Sequence, residues 1–207
     1  MSAAGGPRGH RDPELLAGKR ARLTEPHVHP LTRWTRSVQE RTGLEVPHVD
    51  PESGGVHARA LLLLEAPGPR STARGSGIVS ADNDDGTAEN FWRLASEAGL
   101  PRDRLLIWNI VPWYIGTTTR IRSATAADVA DAQPYLHELL ALLPDLRLVV
   151  AVGVPARDGW LRYLLRDDAR LLPTLACPHP SPRSLNARPQ VRAEILQALR
   201  RVRDLSE

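Results

Sequence analysis

A chain of 207 residues can bury one good core with some length to spare, and a single domain is the simplest organisation. No apolar run of about 18 residues occurs and the first thirty residues are polar and rich in Arg and Pro, so neither a spanning helix nor a secretory signal is expected, and the protein reads as cytoplasmic with no membrane partner. One cysteine, Cys177, excludes an internal disulfide framework and four-cysteine zinc or iron-sulfur sites, and no metal or cofactor is expected.

The net charge of +3 is unevenly placed. Residues 1–41 hold eight Lys/Arg against four Asp/Glu and residues 183–207 hold six against three, whereas the body between them holds 13 against 17. Basic ends around a slightly acidic body suit a partner with phosphates. A coding bias towards arginine accounts for the same numbers, since Lys19 is the only lysine beside 26 arginines.

Residues 1–30 read as a loosely ordered, flexible basic arm carrying only the apolar pair Leu15 and Leu16, and residues 31–207 as the folded domain. His27 and His29 form an H-x-H pair with no third ligand nearby, which reads as a solvated loop more readily than as a metal site. Leu31, Trp34 and Val38 share one face of a helix from Leu31 to Thr42, closed by Gly43, and Pro47 to Gly55 is a turn-rich connection.

Four consecutive leucines at 61–64, after Ala60, predict a strand buried on both faces of a parallel sheet. That strand delivers Glu65 to an open edge, where Pro67 and Gly68 fix a tight turn; a surface acid capping the next turn is the alternative. Arg70 to Gly77 is an Arg/Gly/Ser loop running into Ile78, Val79 and Ser80. The acids of Asp82-Asn83-Asp84-Asp85 precede a helix over 87–98 capped by Gly99, and read as a dipole-favoured cap.

Leu105 to Pro112 predicts the second buried strand, which presents Asn109 beside a proline break and the loop Gly116 to Arg120. Thr125 with Asp128 opens a long helix to about Leu143, with Val129, Ala132, Leu136, Leu139 and Leu143 in helical spacing and Pro134 able to kink or split it. A third strand spans Leu146 to Val152 and a helix follows from Pro155 to Arg166. A weaker fourth, Leu171 to Cys177, ends at Pro178-His179-Pro180-Ser181-Pro182. The closing helix, from Pro189 to Val202, carries Val191, Ile195, Leu199 and Val202 on one face. Strands alternating with helices argue for an α/β protein, a three-layer α/β/α sandwich with a central parallel sheet of about four strands. No glycine fingerprint for a dinucleotide or triphosphate surrounds Gly153.

Three strand ends thus each present one polar group: Glu65, Asn109 and His179. In a parallel sheet these ends share an edge and can converge on one pocket. A carboxamide reads a base edge with one donor and one acceptor, an imidazole donates to a departing oxyanion, and a carboxylate orients water and stabilises an oxocarbenium-like sugar. The set suits cleavage of a glycosidic bond to a base.

The segments Leu64-Glu65-Ala66-Pro67-Gly68, Trp108-Asn109-Ile110-Val111-Pro112 and His179-Pro180-Ser181-Pro182-Arg183 resemble, in order and at strand ends, the three signature segments of the uracil-DNA glycosylase superfamily. The resemblance spans roughly residues 58–200. The first segment is similar to the G-E-A-P-G of the thermostable iron-sulfur class, with Leu64 in place of the leading Gly; the last is closer to the single-strand-selective class. The resemblance implies a monomeric enzyme of base excision repair that flips uracil or a related deaminated base out of DNA. It implies that Glu65 positions water, that His179 stabilises the uracil anion at O2, and that Asn109 pairs with O4 and N3, with Ala66 and Gly68 beside the base. Arg183, with Ser181, would belong to the loop that wedges into the stack, and Arg70 and Arg120 would contact DNA.

Departures from the pattern carry expectations too. The cluster cysteines are missing, so no cluster is expected. Gly68 stands where the most uracil-strict enzymes carry a tyrosine that blocks the thymine methyl, which leaves exclusion of 5-substituted uracils open. Ile78 falls at the aromatic base-stacking position, with Phe91 or Trp113 as substitutes. Apart from any family, a glycosylase that also nicks the backbone needs an amine for a Schiff base, and the only lysine lies in the arm; a monofunctional enzyme follows. A damage-binding module that keeps the pocket without turnover is the competing reading, and a hydrolase using Ser181 or Ser76 the third, although neither serine lies in G-x-S-x-G.

Overall fold

The computed structural model describes residues 6–117 and 122–207. In chain order these form α1 (Pro13–Ala21), α2 (His29–Thr42), β1 (His48–Val49), β2 (Ala60–Leu64), β3 (Ile78–Val79), α3 (Gly86–Ala98), β4 (Leu105–Asn109), α4 (Ala126–Ala141), β5 (Leu148–Val152), α5 (Val154–Leu164), β6 (Thr174–Cys177), α6 (Pro182–Ala187) and α7 (Gln190–Leu205). No helix among the described residues is long and apolar enough to cross a membrane.

Four strands make an all-parallel sheet in the order β4-β2-β5-β6. The leucine run therefore occupies a central strand, and the alternation of its side chains builds two cores. Leu61 and Leu63 join Leu106, Trp108, Val149 and Ala151 beneath α2, α4 and α5, where Leu31, Trp34, Leu139 and Trp160 are buried. Ala60 and Leu62 join Leu148, Val150 and Cys177 beneath α3 and α7, where Leu94, Ile195 and Leu199 are buried. A strand apolar at every position is what such double coverage requires, and the fold is the expected α/β architecture with helices on both faces of a parallel sheet. Trp34 packs on Trp108 with ring centroids 5.4 Å apart, an arrangement that adds about 0.5–1.5 kcal/mol to the burial.

Local signals act where the spacing placed them. Thr125 and Asp128 form a reciprocal capping box at the start of α4, and Pro134 stands within that single helix without dividing it. Gly43 and Gly99 close α2 and α3 with positive φ, a conformation that carries no Cβ penalty in glycine.

Three expectations are corrected. Residues 6–30 contribute to the folded body: α1 is followed by a turn that buries Leu23 and Val28, and Lys19 is only 5% exposed. The turn-rich connection contains β1, which pairs in parallel with β3 (His48 with Ile78, Val49 with Val79) as a second, two-stranded sheet. The fourth strand is shorter than expected, beginning at Thr174, because Pro173 has no N–H for the ladder and Leu171 is exposed to solvent.

Candidate active site at the carboxyl edge of the sheet

The carboxyl ends of β2, β4 and β5 open into a cavity of about 360 Å³ on the side covered by α3, a size typical of small-ligand sites. Its floor is apolar, from Leu62, Leu64, Ile107 and Val152; Phe91 and Ala88 of α3 form one wall, Val79 and Ala81 another, and Ala66, Pro67 and Gly68 a third. Glu65, Asn109 and His179 all line it. Residues separated by more than a hundred positions meet because three parallel strands end at one edge.

Glu65 follows the last residue of β2, and its backbone is held by the chain after β4: Val111 N–H donates to Glu65 O at 3.0 Å and Ile110 N–H to Leu64 O at 2.7 Å. Its Oε1 accepts from Ala124 N–H at 2.6 Å, which orients the carboxylate from the segment leading into α4. Asn109 is 4% exposed, and its Nδ2 is buried without a hydrogen-bond partner among the described residues. Leaving a buried donor unpaired costs on the order of 1–3 kcal/mol, a cost that an acceptor on a ligand removes. His179 sits against Gly153, whose φ of +83° and missing Cβ let the chain turn beside the ring; a Cβ there would lie 3.4 Å from His179 Cβ. Burial pushes the His179 pKa below its ordinary value, with the nearby carboxylates of Glu65 and Asp85 acting in opposition, so the ring is neutral at neutral pH.

The loop that carries His179 is fastened to α3. Asn90 Nδ2 donates to Pro180 O at 2.9 Å, and Gly86 lies so close to Pro182 that a Cβ would stand 2.6 Å from its Cγ. Ser181 caps α6 by accepting from Ser184 N–H at 3.2 Å, and Arg183 is exposed on that short helix. Neither Ser181 nor Arg183 lines the cavity; in the chain they follow His179 and Pro180, which do. Arg70 lines the mouth with its side chain exposed. Arg120 lies outside the described residues.

Ile78 does not reach the cavity. It is fully buried by its pairing with His48, and its neighbour Val79 is the residue that lines the wall. Of the two aromatic substitutes, Phe91 lines the cavity, whereas Trp113 is buried edge-on against Tyr135, with ring centroids 5.6 Å apart. Gly68 leaves open space where a side chain would project, and its φ of −80° is available to any residue. Ser76 is a turn residue whose hydroxyl donates to Ile78 O at 2.9 Å, and among the described residues neither serine hydroxyl is hydrogen-bonded to a histidine or carboxylate.

Several lining residues carried no site signal in sequence. Asp85 caps α3 as its acidic run suggested, Oδ1 accepting from Thr87 and Ala88 N–H at 2.9 Å, but it also lines the cavity. Asn83, Tyr114 and Arg122 line it as well; Arg122 forms a fork on Asp128 at 2.6 and 2.8 Å and holds that carboxyl well below the usual range. Among the described residues no cluster of three or more His, Cys, Asp or Glu could hold a metal, and His27 instead bonds Pro51 O at 2.9 Å.

Comparison with curated proteins yields no match to this chain. The family model described as the uracil DNA glycosylase superfamily matches residues 51–200, which include all three strand ends and the cavity between them. The chain belongs to the uracil-DNA glycosylase superfamily.

Proposed function

We propose that the protein is a monofunctional DNA glycosylase that draws uracil, or a related deaminated pyrimidine, out of DNA and hydrolyses its N-glycosidic bond. The observation that carries this reading is the shared cavity of Glu65, Asn109 and His179, with Asn109 Nδ2 buried and unpaired. The extruded base lies between Phe91 and the Ala66 to Gly68 turn, its O4 accepting from Asn109 Nδ2. Neutral His179 donates to O2, where charge gathers as the C1′–N1 bond breaks and its electron pair passes to the base. The Glu65 carboxylate balances the oxocarbenium-like sugar and directs a water to C1′; the water's oxygen forms the new bond and its proton leaves to the carboxylate or solvent. Arg70, at the mouth of the cavity, and the exposed Arg183, with Ser181 before it, contact the sugar-phosphate chain in this reading. The sole lysine is enclosed in an ion cluster with Asp50, Glu52 and Asp82 and does not line the cavity, which agrees with hydrolysis that leaves an abasic site.

The test is incubation with uracil-bearing single- and double-stranded oligonucleotides followed by alkali. Strand cleavage is expected, and Glu65→Gln should slow it by about 10²–10⁴-fold. Absence of cleavage on both substrates, with tight binding retained, would instead mark a damage-binding module; absence of both would remove the reading.

A further inference from the structure

The residues before the family match have an unexpected destination. All five Lys/Arg of residues 1–30, namely Arg8, Arg11, Lys19, Arg20 and Arg22, are engaged inside the molecule. Four of them end on one segment, residues 75–89. Arg8 bonds Asp84 at 2.8 Å and Glu89 at 2.7 Å, Arg11 bonds Asp84 at 2.7 Å, and Arg20 donates to Gly75 O and Ser76 O, both at 3.1 Å. Lys19 is enclosed by Asp82, by Asp50 at 3.0 Å and by Glu52 at 3.3 Å, while Arg102 reaches Asp82 from the other side at 2.9 Å. Between these ion pairs His10 bonds the Asn83 carboxamide oxygen at 2.8 Å, and its backbone N–H donates to Asp82 O at 3.0 Å.

The segment so held is a wall of the base cavity. Val79, Ser80, Ala81, Asn83 and Asp85 all line it. Asn83 passes the contact inward, donating to Ser71 Oγ at 3.0 Å and Ile78 O at 2.9 Å with the two hydrogens of its amide. The family match begins at residue 51, so this wall is braced by a segment outside it. Every Lys and Arg of this basic terminus already has a partner within the fold, which leaves less of its charge to offer to phosphate.

Resting on the glycosylase reading above, we propose that residues 8–20 are a clasp that positions the 75–89 wall and so sets how tightly the extruded base is held, and that they are not a phosphate-binding arm. Removing Lys19 would strand buried carboxylates and threaten folding, so the partly exposed pairs are the ones to test. In the full-length protein, Arg8→Ala/Arg11→Ala is compared with the charge-matched Arg33→Ala/Arg36→Ala, whose arginines are exposed on α2. Hydrogen exchange should quicken at the amides of residues 76–85 in the first variant alone. Its KM for a uracil-bearing oligonucleotide should rise on the order of three- to tenfold, as the loss of three partly exposed ion pairs allows, with kcat unchanged. The slope of log KM against log salt should stay as in the parent, whereas each lost phosphate contact would lower it by about 0.7–0.9. Unchanged exchange, an unchanged KM or a lowered slope would each overturn the clasp. A parent protein that does not cleave uracil would refute the glycosylase reading instead, leaving the exchange comparison to decide whether the wall is braced.

Discussion

Asn109 ends β4, and its burial decides what it can read. A donor held out of water discriminates sharply, because a base offering a second donor at that point leaves both unpaired. Asn109→Asp replaces the donor by an acceptor that repels O4 of uracil and favours the amino group of cytosine. Uracil excision should fall by about 10²-fold or more, with cytosine newly admitted. A uracil rate equal to the parent's in the same oligonucleotide assay would show that Asn109 does not read the base. Glu65 and Asn109 were legible in sequence because one directly follows and the other closes an apolar run, and His179 because it stands in a proline-rich break just past a weaker strand. Ile78 was misplaced by the same reasoning. Only its pairing with His48, thirty positions earlier, shows that the pleat turns Ile78 inward and Val79 to the cavity.

The decisive element is α3, which serves the site twice. It supplies Phe91 to the cavity wall, and through Gly86 and Asn90 it carries the loop that holds His179. Gly86→Ala places a methyl 2.6 Å from Pro182 Cγ, and the rigid pyrrolidine cannot swing aside, so the loop must move. On the proposed glycosylase reading, a shift of about 1 Å at His179 costs on the order of 10²-fold, so kcat should fall while base binding through Asn109 and Phe91 is retained. An unchanged kcat would mean that the loop is placed by other contacts. The helix itself was evident from its acidic N-terminus and Gly99 cap. Its contact with the His179 loop was not, since the two segments are ninety residues apart and a glycine and an asparagine on a helix carry no mark of their partners.

Across the whole molecule, protonation and folding are linked with one sign on the acid side. Burial lowers the pKa of His10, His48 and His179 below the ordinary value near 6.5, so each binds a proton more readily when unfolded. Their contribution is fully present above about pH 6.5 and is lost as pH falls towards the folded values. Asp50 and Asp84, lowered by their cationic partners, lose stability on further acidification. At the alkaline end the buried Cys177 thiol is pushed up to about 12, so it resists ionising within the fold and stability declines once pH passes the ordinary thiol range. Thermal unfolding followed by circular dichroism should therefore give a Tm that holds between about pH 7 and 8 and falls below about 6.5; a Tm rising on acidification would contradict the burial of these rings.

What the amino-acid order determined by itself was short-range: apolar runs of strand length, capping boxes, glycine stops, and the strand ends at which Glu65, Asn109 and His179 emerge. These follow from propensities and periodicities that act within a few residues. The placing of Phe91 against the cavity, the inward turn of Ile78, and the anchoring of the basic N-terminal residues on the cavity wall were settled by tertiary structure alone. Each depends on which charges and surfaces meet across tens of positions, and a chain read in one dimension shows a run of arginines without showing the carboxylates that neutralise it.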